Sequence, residues 1–96
     1  MSVITITRFA IDPANADALQ VRHASLVAAI RFTAPGLTTT QLAKLDDTTW
    51  LAVWHWDSPE SLEHARAVAP NLPEAAEAFA LADDVTTEQA TIIDAR

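Results

Sequence analysis

Three histidines, an arginine inside a β-branched run and three closely spaced tryptophans are the side chains of this 96-residue chain best suited to chemistry. His23 falls in the series Ala16, Leu19, His23, Leu26, Val27, Ile30, whose helical spacing aims its ring at a packed face. A buried neutral imidazole needs a partner for at least one nitrogen. In a pocket between helix and sheet it could serve as general base towards a phenol or an activated carbon. As a plain core or interface residue it would be satisfied by a backbone carbonyl or by water. Arg8 shares a strand face with Ile4, Ile6 and Ala10, where a cation wants a compensating group. It could stabilise a developing enolate or phenolate, or pair with Glu88 or Asp94 of a neighbouring strand. Trp50, Trp54 and Trp56 stand two or four residues apart, so alternation puts them on one face, with Leu51, Val53 and His55 on the other. Trp54 and Trp56 could wall a flat aromatic pocket or pack a core or a sheet-to-sheet seam. Either face could meet the helices, so His55 is a candidate pocket residue too.

Other chemistries are excluded or weak. The chain has no cysteine, which removes disulfides, thiolate metal sites and cysteine nucleophiles. Its histidines fall on three elements without ligand spacing, so no metal is expected. A single glycine leaves no Gly-rich phosphate loop. Asp46-Asp47 and Asp83-Asp84 read as solvated turns, and no Ser-His-Asp set is recognisable. The net charge of −7 argues against nucleic acid, and eleven of the thirteen acids lie from Asp46 onward. An anionic ligand would have to be held locally, near Arg8, Arg22 or Arg31. No apolar run approaches membrane-spanning length, and no basic stretch precedes the apolar N-terminal residues. A cytoplasmic protein is expected, without membrane partners.

The elements that must position these residues follow from periodicity and punctuation. Val3 to Ile11 alternates as a strand. Asp12-Pro13 starts a helix, with Asp12 as N-cap, that runs to about Thr33 and stops before Pro35-Gly36. Thr38 to Leu45 is a second strand, Asp46-Asp47-Thr48 a turn, and Thr49 to Trp56 a third strand. Ser58 caps a second helix that begins at Pro59 and reaches about Val68. A short Ala-rich helix from Pro73 to Ala82 and a strand from Thr86 to Asp94 complete the chain. The order predicts a single α+β domain over residues 1–96, a ferredoxin-like βαββαβ unit with an antiparallel four-stranded sheet. Strands one and three belong in the middle, because they are apolar, while two and four are rich in Thr, Gln and charge.

Trp56-Asp57-Ser58-Pro59-Glu60-Ser61-Leu62-Glu63-His64, together with Pro35-Gly36-Leu37 before the second strand, resembles the antibiotic-biosynthesis monooxygenase domain family of the dimeric α/β-barrel superfamily. The resemblance spans essentially the whole chain. It implies a homodimer closed sheet to sheet into a barrel, with a pocket in each subunit between sheet and helices. It also implies oxygenation of quinol- or anthrone-type substrates without a cofactor, and it marks His64 as a family position. The haem-degrading branch uses an Asn on strand one and a Trp and His near the second helix. Here Thr7 and Arg8 stand on strand one, and Ala65 and Ala75 stand near the other two positions, which points away from haem.

The reading is a cofactor-independent monooxygenase-like enzyme acting on a small aromatic substrate. His23 would be the base and Arg8 the oxyanion stabiliser, with Trp54, His55, Trp56 and His64 contacting substrate. The alternatives are a non-catalytic dimeric module that binds a small ligand, or an isomerase using the same base without O₂.

Overall fold

The computed structural model describes all 96 residues. Strand β1 (Val3–Ala10) leads through a single 3-10 turn at Pro13–Asn15 into helix α1 (Ala16–Thr33). Asp12 accepts a hydrogen bond from the backbone N–H of Ala14 at 2.9 Å, so the predicted cap holds the 3-10 turn rather than the α-helix itself. Strands β2 (Leu37–Lys44) and β3 (Thr49–Trp56) form a hairpin, followed by α2 (Pro59–Val68), α3 (Pro73–Phe79) and β4 (Asp83–Thr91). Ser58 caps α2 by accepting from the N–H of Ser61 at 3.2 Å.

The four strands are antiparallel in the order β2-β3-β1-β4, which places the apolar strands centrally as expected. Strand β4 starts and ends three residues earlier than the sequence suggested. A register shift between Arg8 and Ala10 lets Asp83 pair with Ala10, and pairing stops at Thr91 because its partner Val3 begins β1. Asp84 keeps the turn-like φ of 51° inside this strand, a conformation that Asp tolerates better than most residues.

Val3, Thr5, Thr7 and Phe9 of β1 and Trp50, Ala52, Trp54 and Trp56 of β3 share the face on which the helices pack, since paired residues point the same way. The core has two parts on that face. The larger joins Val3, Leu37 and Trp56 to Leu26, Val27, Ile30, Leu62, Ala65, Ala75 and Ala78. The smaller joins Phe9, Ile11, Leu19 and Trp50. Ile4, Ile6, Leu51 and Val53 on the other face belong to neither and stay partly exposed. No helix is long and apolar enough to cross a membrane.

The only glycine closes α1 onto β2. Gly36 has φ +119°, and a Cβ there would fall 2.5 Å from Ser61 Cβ and 2.9 Å from Asp57 Oδ1. Its carbonyl also accepts the N–H of Asp57 at 2.9 Å, tying the α1–β2 link to the β3–α2 link. In the β2–β3 turn, Asp46 accepts from the N–H groups of Thr48 (2.9 Å) and Thr49 (2.8 Å). These bonds hold its carboxyl below the ordinary carboxylate value.

Candidate active site

A cavity of about 230 Å³ lies between sheet and helices and is lined by residues of both core parts, Phe9 and Leu19 from one and Leu26, Ile30, Leu62, Ala75 and Ala78 from the other. Side-chain size explains the void. Where a closed core would need bulk, the sheet supplies Thr5, Thr7, Ala52 and Thr87, and the helices with their links supply Ala69, Ala75, Ala78 and Ala82. Small residues facing each other across two layers leave unfilled volume. An apolar cavity of ~150 Å³ already admits benzene, so this one suits a ring system of one or two rings.

His23 of α1 and Trp54 of β3 both line the cavity. The indole N–H of Trp54 donates to Nε2 of His23 at 3.0 Å, with the rings edge to face at a centroid distance of 5.8 Å. An accepting Nε2 puts the proton of the neutral ring on Nδ1. Burial lowers the His23 pKa below its ordinary value of 6.5. The donated indole N–H acts in the same direction, because a second proton on the ring would break that bond. Near pH 7 His23 is therefore a neutral imidazole in one tautomer.

Each residue singled out in the sequence has a definite place. Trp56 is 2% exposed in the larger core part, donates to Thr5 Oγ1 at 3.5 Å and does not line the cavity. It stacks at a tilt on Trp54, with ring centroids 6.1 Å apart. Trp50 is buried in the smaller part. Arg8 and His55 point to the opposite face of the sheet, so within one protomer neither meets His23. Arg8 makes no ion pair with Glu88 or Asp94, and Asp94 is held by Arg96. His64 is exposed on α2, off the Leu62–Ala65 side that packs inward.

The cations expected to hold an anion are elsewhere. Arg22 donates to the carbonyl of Glu77 at 2.8 Å, and Arg31 donates to the carbonyls of Leu37 and Thr38. The cation that does line the cavity is Arg66 of α2, which the sequence reading had not singled out. It would have been visible only by knowing that α2, α3 and β4 converge there.

Solved structures share this architecture. SnoaB, a cofactor-independent oxygenase from Streptomyces nogalater, aligns with a TM-score of 0.75 at 21% identity, covering 98% of this chain and 95% of that one. A candidate antibiotic biosynthesis monooxygenase from Caulobacter crescentus aligns with a TM-score of 0.74 at 16% identity, over 97% and 91% of the two chains. Rv0793 from Mycobacterium tuberculosis gives a TM-score of 0.71 at 19% identity, over 99% and 98%. No protein-family model and no curated protein matches the sequence. In fold, the chain is similar to each of these proteins over nearly its whole length.

Proposed function

We propose that the cavity binds a small phenolic or quinol-type aromatic and that the His23–Trp54 pair removes its acidic proton, setting up monooxygenation by O₂. The hydrogen bond between the two rings carries this reading. Nε1 and Nε2 are 3.0 Å apart, so a substrate oxygen about 2.8 Å from each fits beside both. A hydroxyl that takes the place of the indole N–H at Nε2 hands its proton to His23. The freed N–H of Trp54 then donates to the phenolate oxygen as charge develops there. Trp54 thus takes the stabilising part that the sequence reading gave to Arg8. The electron-rich carbanion that results reduces O₂ directly. For a ring methylene the balance is CH₂ + O₂ → C=O + H₂O, in which the substrate supplies all four electrons. Likeness in fold to SnoaB supports this reaction class.

Oxygen uptake with one- and two-ring quinols and naphthols tests the reading. His23→Leu keeps volume and removes the nitrogens, so turnover should fall by roughly 10²–10⁴ while the protein stays folded. Unchanged turnover in that variant refutes the assignment of the base. Isomerisation of a substrate without O₂ uptake would replace oxygenation by simple proton transfer, the alternative that uses the same base.

The active form is proposed to be a homodimer joined through the outer sheet face. Ile4, Ile6, Leu51 and Val53 form an apolar surface over the two central strands that no core residue covers. A contiguous face of this kind on a small domain favours a partner. Arg8 and His55 would then lie in the contact between subunits rather than in the cavity.

A further inference from the structure

Three residues that line the cavity are exposed, Arg66, Phe79 and Thr87, and they mark where it opens to solvent. Arg66 is the only formally charged side chain on the wall, and no carboxylate lines it. Its Nη1 donates to Glu63 Oε1 at 3.3 Å, a single contact between side chains 48% and 71% exposed. Such a pair is weak and easily exchanged. A guanidinium carries five N–H groups in a planar fork that matches a carboxylate. With one engaged, the others are available at the mouth. The remaining cations are committed to backbone carbonyls, paired with nearby acids or placed on the outer face. In a chain of net charge −7, anions are not drawn in by the overall field. Selection of an anion would have to be made locally, by this residue.

We infer that Arg66 is a specificity-determining residue and that the ligand is a one- or two-ring aromatic bearing a carboxylate or similar planar anion. Its ring occupies the apolar cavity and its anionic group lies in the fork of Arg66 at the mouth. This rests on the reading of the cavity as a small-aromatic site. Arg66 lines the cavity and is also exposed, and a long cationic side chain beside a cleft usually lays its stem on apolar surface and keeps its head in water.

Calorimetric titration with 2-naphthoate and its neutral counterpart 2-naphthalenemethanol, on the parent and on Arg66→Gln, tests the inference. The parent should bind the carboxylate about tenfold more tightly than the alcohol, as a charge-assisted hydrogen bond allows. Arg66→Gln should abolish that preference and leave binding of the alcohol unchanged. The preference should also shrink at about 0.5 M salt, because the mouth is solvated. Equal affinities in the parent, or a preference that survives Arg66→Gln, overturn the role of Arg66 and leave the cavity as a neutral aromatic site. Equal weakening of both ligands by Arg66→Gln overturns it too, since the arginine would then only shape the wall. Failure of both compounds to bind overturns the cavity reading itself.

Discussion

Protonation of His23 links the cavity to stability. Its pKa in the fold lies below the ordinary 6.5, so between those two values the unfolded chain binds more protons than the folded one. The contribution of His23 is then complete above pH 6.5 and declines as pH falls through that window. Activity that needs the neutral ring should follow the same direction, surviving slightly acidic pH and failing below it. Removing the Trp54 donor should raise the His23 value, because the indole N–H favours the neutral ring. NMR titration of the His23 ring in the parent and in Trp54→Phe measures this. Identical titration curves would mean that the bond at 3.0 Å does not set the protonation state. The sequence showed that His23 faces inward, from its place between Leu19 and Leu26. It could not show Trp54 as the partner, because that depends on which face of β3 meets α1.

Among the elements, the links carry more constraint than their length suggests. Gly36 combines a φ of +119° with close approach of Ser61 and Asp57, so Gly36→Ala both strains the backbone and overlaps a neighbour. Such changes together should cost at least about 2 kcal/mol, which corresponds to a fall in Tm of roughly 10 °C for a domain of this size. A thermal melt of Gly36→Ala that matched the parent would show that the α1–β2 and β3–α2 links can part without penalty. Element order, the cap at Ser58 and the central position of β1 and β3 were all legible in the sequence, because each rests on local chemistry. Two things were not. Alternation tells which residues share a strand face, but not which face the helices choose, and here Val3, Thr5, Thr7 and Phe9 face them while Arg8 does not. The cavity also left no signature, since it is made by alanines and threonines too small to meet, and alanine in a helix is read as a good helix former.

For the whole molecule, one sheet face is packed by helices and the other is left open. If two copies join there, a charge placed in the middle of the open face should separate them. Val53→Glu would be expected to convert a dimer into monomers in analytical ultracentrifugation while the helix-side core and cavity persist. A parent chain that is monomeric and folded at micromolar concentration would refute pairing through this face. On the helix-packed face the three tryptophans differ in their surroundings. Trp50 and Trp56 are buried at 6% and 2% exposure, whereas Trp54 alone among the three lines the cavity. Light absorbed by the protein near the indole band is therefore emitted by two shielded rings and one ring whose surroundings change with whatever enters. A ligand that enters should shift or quench the Trp54 part of that emission, read without label or assay, and Trp54→Phe supplies the blank.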